Sequence, residues 1–475
     1  MSKPLIIHIG SECMPYMGTG GLGEVLGSLP RALAAGGADA RVILPMSRDV
    51  LRDHKDKLTF VGHTTVPLAW RQQYCGVFSL ETEGVTLYFL DNQYYFNREG
   101  LYGFFDEAER FAFFARAALE VLPMLGLRPD VLHCHDWQAA LVPVYYKSKY
   151  AHRPEWEGIK TLLTIHNIEY QGKFDKSIMG DVMDLSGWET GLVEYDGCAN
   201  FLKGGIVCCD CLTTVSQTYA NELHYDFFAH GLAPIIQANS YKVTGIVNGI
   251  NTVGYDPEND TSLIAPYSAK SPAGKAENKK ALQQLTGLNL DPDVPIIALI
   301  SRLVSHKGID LVTCVFEDLM GGPVQFVLLG RGEREFEDYF TFQAAHYRGR
   351  MAALIAYNND LSRKIYSGAD IFLMPSKAEP CGLAQMIAMR YGTVPVVRKT
   401  GGLADTVQDI SEGGNGFVFD DYNAHDMLHA LNRAVEHYGD KAAWQKLIAA
   451  DMKQDFSWNK AAGVYLALYN TLTVQ

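Results

Sequence analysis

Short apolar runs rich in β-branched residues recur along the chain, separated by stretches with helical character. Because each run is continuous rather than alternating, it is typical of a strand buried on both faces of a parallel sheet. In the first half the predicted strands are Pro4–Ile9, Ala40–Leu44, Val85–Leu90, Val131–His133, Thr161–Ile165, Leu212–Val215 and Val243–Val247. In the second half they are Ile296–Ile300, Val324–Leu329, Met351–Ala356, Ile371–Met374 and Val394–Val397. Strands alternating with helices predict an α/β fold with parallel sheets.

The alternation stops and restarts between residues 248 and 280, a polar stretch that contains Pro257, Pro266 and Pro272. We place the crossing between two domains there. The chain has 475 residues, which is enough for two domains of about 200 residues each. We therefore predict two doubly wound domains, in which ligands bind at the carboxyl ends of strands.

The composition mainly excludes other classes of protein. A net charge of −13 argues against a nucleic-acid partner, because phosphate contacts need a basic surface. No segment approaches the roughly 18 apolar residues of a membrane span, and the first residues, MSKPLIIHIGSE, are interpreted as a strand and not as a signal peptide. Nine cysteines without a regular framework fit reduced thiols in a cytoplasmic enzyme.

The sequence Thr-Gly-Gly-Leu occurs twice, each time after a predicted strand. Thr19–Leu22 follows the first predicted strand, and Thr400–Leu403 follows the last one. Paired glycines let backbone N–H groups approach an oxyanion, and a helix that starts there adds partial positive charge. A lone pair of glycines is more often a tight turn, but two such segments after strands favour a binding role.

Candidate metal ligands are sparse. Asp291-Pro292-Asp293 lies in a predicted turn and is better explained as a loop. The run from His133 to Asp136 contains two histidines and a cysteine, but the sequence indicates no complementary cluster elsewhere, so we expect no metal. Polar residues at the end of a strand are instead where a doubly wound fold places its ligand site, and His166 has the same placement after Thr161–Ile165.

Charged residues follow two strands of the second half. Arg302 and Lys307 come after Ile296–Ile300, where they could clamp a diphosphate or simply be solvated. Glu379 precedes an apolar helix, where it could cap the helix or hold sugar hydroxyls. The sequence contains neither a Gly-Xaa-Ser-Xaa-Gly elbow nor a Walker phosphate loop, and nothing in it favours hydride transfer.

Taken in order, the motifs resemble those of the bacterial glycogen synthase and plant starch synthase family over essentially the whole chain. The longest runs from Ile365 to Val407 and is too long to match by chance. The others are TGGLGEVLGSLPRALA, REGLYG, HCHDWQAAL, LTIHNIEYQG, FLKGGIVCCDCLTTVSQTYANEL, IVNGINTVGYDP, LISRLVSHKGIDL and FSWNKAA.

The resemblance implies two Rossmann-like domains that face a central cleft, the GT-B arrangement. Residues 1–248, completed by a C-terminal helix at 457–475 that crosses back, would form the glucan domain, and residues 249–456 the sugar-nucleotide domain. The implied reaction transfers glucose from ADP-glucose, or UDP-glucose, to the non-reducing end of an α-1,4-glucan with retention of configuration. No cofactor, metal, nucleic-acid or membrane partner is implied.

The resemblance also assigns roles to residues. Arg302 and Lys307 match the pair that neutralises the departing diphosphate, and Glu379 matches the carboxylate that holds the donor glucose. His166 matches a histidine against the donor sugar, and Asp136 matches the acid of the His-Asp-Trp segment. The positions implied to bind the donor are Gly20, Gly21, Tyr357 (stacked on the nucleobase), Cys381, Gly382, Leu383, Thr400, Gly401, Gly402 and Leu403. No dedicated nucleophile is implied, since the leaving phosphate acts as the base.

Two positions depart from the family pattern. Gly18 stands where the family has a lysine that reaches the donor, and Gln138 stands where bacterial relatives often have histidine. Loss of one phosphate contact costs roughly 2–4 kcal/mol by analogy with other charge-stabilising donors. Two alternatives therefore stay open: a weakened paralogue that binds glucan or nucleotide as a primer or regulator, and an enzyme with another acceptor such as a sugar phosphate.

Overall fold

The structure is a computed structural model that describes residues 3–474. The chain divides into two units, each described here by itself: unit 1 comprises Met1–Asn248 with Trp458–Gln475, and unit 2 comprises Gly249–Ser457. Within the described residues, no helix is both long and apolar enough to cross a membrane.

A large mixed sheet lies at the centre of unit 1. In the described part of this unit its nine strands are ordered β12-β11-β7-β6-β1-β2-β5-β4-β3, and a small antiparallel sheet is ordered β8-β10-β9. The strands are β1 (Leu5–Ile9), β2 (Asp39–Pro45), β3 (Thr59–Leu68), β4 (Arg71–Thr82), β5 (Val85–Asp91), β6 (Val131–His135), β7 (Lys160–Ile165), β8 (Lys173–Asp175), β9 (Glu194–Tyr195), β10 (Cys198–Asn200), β11 (Cys211–Thr214) and β12 (Val243–Gly245).

Helices connect these strands, and the two longest follow β1 and β5. The α-helices are α1 (Gly21–Ala35), α2 (Arg48–His54), α3 (Gln93–Phe96), α4 (Glu107–Met124), α5 (Asp136–Ala139), α6 (Leu141–Tyr145), α7 (Ile178–Asp181), α8 (Thr190–Val193), α9 (Phe201–Cys208), α10 (Gln217–Glu222), α11 (Asp226–Ala229) and α12 (Ala233–Ala238). Short 3₁₀ turns lie at Lys55–Lys57, Pro154–Trp156, Gly187–Glu189 and Ser240–Lys242, and a π turn lies at Tyr146–Tyr150.

Unit 2 contains a six-stranded sheet, counted over its described residues, ordered β15-β14-β13-β16-β17-β18 and parallel throughout. Its strands are β13 (Ile296–Ile300), β14 (Gln325–Leu329), β15 (Met351–Leu354), β16 (Ile371–Met374), β17 (Val394–Arg398) and β18 (Phe417–Phe419). Its helices are α13 (Gly274–Thr286), α14 (Ile309–Cys314), α15 (Phe316–Gly321), α16 (Arg334–His346), α17 (Asn359–Gly368), α18 (Ala384–Arg390), α19 (Gly401–Thr406), α20 (Ala424–Gly439) and α21 (Lys441–Asp451), with 3₁₀ turns at Ser305–Lys307 and Ile410–Glu412.

The last helix, α22 (Trp458–Val474), packs against α1 in unit 1. Trp458, Tyr465 and Tyr469 are buried there in one apolar cluster with Leu29 and Leu33 of α1. Burial of large side chains dominates such contacts, at about 1.5–3 kcal/mol for each aliphatic or Phe side chain. The apolar face of α22 therefore completes the core of unit 1.

The predicted strands are all present, but the expectation of purely parallel sheets is wrong for unit 1. Strands β3, β4 and β5 pair antiparallel, and Ala69 and Trp70 form a two-residue hairpin loop between β3 and β4. In β3 exposed and partly buried positions precede a short buried end, so it contains no continuous apolar run. The short strands β8, β9, β10 and β18 were not predicted either.

Candidate active site

The order of strands indicates where a candidate ligand site lies in each unit. In unit 2 the first strand of the unit, β13, lies between β14 and β16, so the connections on its two sides run in opposite directions. In unit 1, β1 likewise lies between β2 and β6. Doubly wound folds bind ligands at the carboxyl ends of strands at such a switch point. The residues that follow β13, β16, β1 and β6 are therefore the candidates.

An ion pair lies at the switch point of unit 2. Lys307 Nζ donates to Glu379 Oε2 at 2.7 Å, and Ser376 Oγ donates to the same oxygen at 2.8 Å. Glu379 is buried. Its carboxylate is not a helix cap, because Leu383 precedes α18 at the cap position. The structure thus brings together the two charged residues that the sequence predicted separately, with Ser376 as a partner that the sequence did not indicate.

A pocket of about 230 Å³ surrounds this pair. Arg302 lines it, is exposed, and has no side-chain partner within residues 3–474. Gly382 and Leu383 also line it. The pocket therefore has a free guanidinium beside a paired ammonium, which is the donor set that binds phosphate oxygens.

The second Thr-Gly-Gly-Leu segment packs against the backbone after Glu379. Gly401 has a φ of +44°, and a Cβ there would lie 1.9 Å from the Glu379 carbonyl oxygen. A Cβ on Gly402 would lie 2.0 Å from the carbonyl oxygen of Cys381. Only glycine permits this approach. Gly402 N–H donates to the Glu379 carbonyl at 3.0 Å, so in this structure that N–H is engaged within the protein.

The remaining predicted donor-binding residues of unit 2 differ in exposure. Thr400 is fully buried and precedes α19 at the cap position, and Cys381 and Leu403 are also buried. Tyr357 is 87% exposed, so its ring is open to a planar ligand.

In unit 1 a buried carboxylate organises the loop after β1. Glu12 accepts hydrogen bonds from Thr19 N at 2.7 Å, Thr19 Oγ1 at 2.8 Å and Gly20 N at 3.3 Å. Tyr102 donates to the same carboxylate at 2.7 Å. The loop amides that the sequence predicted to face an oxyanion are thus held by Glu12, and α1 begins at Gly21. Sequence reasoning missed both Glu12 and Tyr102.

Asp136 and His166 meet at the ends of β6 and β7. The His166 backbone N–H donates to Asp136 Oδ1 at 2.7 Å. Asp136 has a φ of +57°, a left-handed conformation that is uncommon for a residue other than glycine. Burial raises the pKa of Asp136 to about 7, although the backbone N–H groups of His166 and Asn167 oppose this shift.

Three fully buried histidines form a cluster that contacts His166 through His135. His8 in β1 joins His133 and His135 in β6, and their ring nitrogens lie within 4.8 Å of one another, so they could hold a metal ion. His8 is a complementary ligand that the sequence did not indicate. However, His133 bonds to Tyr469 at 2.7 Å and to Thr164 at 2.6 Å. A metal would have to displace these hydrogen bonds.

Comparisons with known proteins define the class. The model of the group 1 glycosyl transferases matches residues 283–448, and that of the starch synthase catalytic domain matches residues 5–238. A sucrose-phosphate synthase from Thermosynechococcus elongatus has a TM-score of 0.62 at 16% identity, covering 99% of this chain and 100% of its own, and shares the fold. The protein is therefore a glycosyltransferase with two Rossmann-like domains, as predicted.

Individual glycogen and starch synthases are more similar to this chain than the sucrose-phosphate synthase is. A glycogen synthase of Bacillus cereus (strain B4264) is 44% identical over 472 residues, which cover 98% of this chain and 99% of the relative. One of Geobacillus thermodenitrificans is 45% identical, covering 98% and 97%. The catalytic domain of starch synthase IV from Arabidopsis thaliana, bound to ADP and acarbose, has a TM-score of 0.90 at 34% identity over 100% of both chains. The chain belongs to the glycogen and starch synthase family, which confirms the resemblance of its motifs.

Proposed function

We propose that the protein transfers glucose from ADP-glucose, or from UDP-glucose, to the non-reducing end of an α-1,4-glucan with retention of configuration. The observation that carries this proposal is the cluster of Arg302, Lys307 and Glu379 around one pocket at the switch point of unit 2. The similar starch synthase IV domain was solved with ADP and acarbose, which supports an adenine donor and a glucan acceptor.

The charges of unit 2 suit the leaving group. When the glycosidic bond of the donor breaks, negative charge grows on the diphosphate, and cations already in place lower the barrier directly. We assign this role to Arg302 and Lys307. Glu379 orients Lys307 through their 2.7 Å contact and is proposed to hold hydroxyls of the donor glucose. Tyr357 is proposed to stack on the base.

In unit 1 we assign the donor sugar to His166 and Asp136. The neutral acid form of Asp136 is accessible near pH 7 because burial raises its pKa to about 7. No side chain is assigned as nucleophile. The acceptor hydroxyl attacks on the face of the leaving phosphate, which takes its proton, so positioning and charge stabilisation supply most of the rate enhancement.

We place this activity in the cytoplasm. None of the nine cysteines, which all lie within residues 3–474, forms a disulfide, and they include the neighbours Cys208, Cys209 and Cys211. Burial raises the pKa of Cys209 to about 12, so this thiol is unreactive. Cysteines without disulfides suit a reducing compartment.

The test is an assay of donors against acceptors. The purified chain is incubated with labelled ADP-glucose or UDP-glucose, with glycogen or a sugar phosphate as acceptor, and the products are separated by chromatography. Label in glycogen is the expected result. Label in a phosphorylated disaccharide would assign another acceptor. Absence of transfer from either donor would favour the binding protein that Gly18 allows, since Gly18 offers no cation to the donor phosphate.

A further inference from the structure

A row of hydrogen-bonded imidazoles runs from the interior of unit 1 to His166. His8 Nδ1 lies 3.1 Å from His135 Nε2, and His135 Nδ1 lies 3.0 Å from His166 Nε2. The centroids of neighbouring rings lie 5.4 Å and 5.3 Å apart, well beyond the separations of the bonded nitrogens, so the rings meet at their edges and an N–H of one can point at the lone pair of the next. We call these three residues the histidine relay.

The two ends of the histidine relay differ. His8 Nε2 is buried, and no donor or acceptor within residues 3–474 reaches it. At the other end His166 is only partly buried, and no described residue hydrogen-bonds to its Nδ1. One end of the relay is therefore closed, and the other is open to a ligand.

All three rings of the relay are neutral at ordinary pH. The side-chain hydrogen bonds of His8, His135 and His166 within residues 3–474 run only between these rings, so no carboxylate is bonded to any of them to balance a positive charge. Burying a charge without such a partner is costly, which favours the neutral form of each ring. A neutral imidazole carries one N–H and one lone pair. The protons of the two hydrogen bonds must therefore all point in the same direction along the relay.

The buried end decides the direction. If the protons point towards His166, the unpartnered His8 Nε2 is a bare lone pair. If they point inwards, His8 Nε2 carries an N–H that is buried without an acceptor. Orphaned buried N–H groups are rarer in folded proteins than acceptors with unused lone pairs. The direction towards His166 is favoured.

We propose that His8 and His135 are positioning residues that hold His166 as its Nδ1–H tautomer. His166 then presents a hydrogen-bond donor, and not an acceptor, at its open nitrogen. It therefore recognises an oxygen lone pair on its ligand and disfavours a group that can only donate. That this oxygen belongs to a donor sugar rests on the proposed function, whereas the tautomer does not.

Nitrogen NMR of the full chain, isotopically labelled in its histidine side chains alone, reads the tautomer directly. Protonated and bare ring nitrogens differ in chemical shift, and a spectrum of His166→Gln assigns the His166 signals. We expect His166 to have a protonated Nδ1 and a bare Nε2 without any ligand. A protonated Nε2 would overturn the proposal, and this result does not depend on whether the protein turns over ADP-glucose.

Variants test the role of the relay. His135→Leu removes its hydrogen bonds, so we expect His166 to become a mixture of tautomers and kcat to fall about tenfold with KM little changed. His135→Asn keeps an N–H donor near the position of Nδ1 and should restore the Nδ1–H form and most of kcat. Tyr469→Phe is the matched control, because it removes the bond to His133 in the same buried cluster and leaves the relay intact. A pure Nδ1–H tautomer in folded His135→Leu would refute the role of the relay.

Discussion

Replacing Lys307 with methionine removes the ammonium but keeps a side chain of similar length. Lys307 Nζ lies 2.7 Å from Glu379 Oε2, and the two side chains are 20% and 10% exposed. At an effective dielectric constant of about 20, two unit charges at this separation attract by about 6 kcal/mol. Most of this attraction is offset by lost hydration, and the net value of a hydrogen bond to a charged group is about 1.5–3 kcal/mol.

The two possible roles of Lys307 predict different measurements. If Lys307 only held Glu379 in place, Lys307→Met would lose about 1.5–3 kcal/mol of stability and little turnover. If its charge stabilises the leaving diphosphate, kcat should also fall by about 10²–10³, which corresponds to roughly 2.7–4 kcal/mol. We expect the larger kinetic loss. Thermal unfolding gives the stability, and release of ADP from saturating ADP-glucose with glycogen present gives kcat.

A surface ion pair in the same unit supplies the control. Lys364 Nζ lies 2.6 Å from Asp360 Oδ2, and the two side chains are 34% and 57% exposed. Exposed pairs one helical turn apart contribute about 0.3–0.5 kcal/mol, so Lys364→Met should leave both stability and kcat nearly unchanged. If Lys307→Met lost stability while its kcat stayed within about twofold of wild type, a factor worth under 0.5 kcal/mol, the assignment of Lys307 to the leaving group would be wrong.

Three further predictions are narrower. Tyr357→Ala should raise the KM for ADP-glucose with kcat unchanged. Tyr241→Ala, which removes another exposed tyrosine (83%), should leave this KM unchanged; equal KM values in the two variants would exclude stacking by Tyr357. Burial raises the folded pKa of Asp136 from 3.8 to about 7, so its ionisation opposes folding increasingly between pH 4 and 7. Asp136→Asn should therefore gain stability over wild type across that window and by a constant amount above it; a pH-independent difference would contradict the raised pKa. Tyr465→Ala should cost about 3–5 kcal/mol, whereas Val464→Ala, half exposed beside it, should cost under about 0.5 kcal/mol; equal losses would refute the packing of α22.

Most of the fold was predictable from continuous apolar runs in the sequence. The predicted strands all occur, and their ends are displaced by at most two residues; Val131–His133, for example, extends to His135. Such runs are visible in a sequence because strands covered on both faces contain few polar side chains. The hairpin of β3 and β4 was missed because much of β3 is exposed, and its sequence TFVGHTTVPL then lacks an apolar run.

The site was only partly predictable because sequence does not give the order of strands. His166, Lys307 and Glu379 each follow a predicted strand, which marked them as candidates. Their partners are far away in sequence: Ser376 and Glu379 lie about seventy residues beyond Lys307, and His8 lies 127 residues before His135. A histidine within the apolar strand Leu-Ile-Ile-His-Ile was a usable signal, since a buried polar side chain needs a partner.

Gly18→Lys restores the lysine of the family pattern, and the structure shows what it must displace. A Cβ on Gly18 would lie 2.9 Å from Met14 Sδ and 3.5 Å from Glu12 Oε2. The thioether of Met14, 38% exposed, can rotate away at little cost. Glu12 already accepts hydrogen bonds from Thr19 and Gly20, so the carboxylate that fixes the loop would also attract the new ammonium.

We expect Gly18→Lys to raise kcat or to lower the KM for the donor by about twofold to tenfold, because a cation again lies near the developing charge. Gly18→Met is the matched variant: it demands the same movement of Met14 but adds no charge, so it should bring no gain. Both variants are compared by ADP release and by thermal unfolding. A marked loss of activity in folded Gly18→Lys, with Gly18→Met close to wild type, would show that the charge itself is harmful. The loop would then have been rebuilt for a donor or acceptor other than the one proposed.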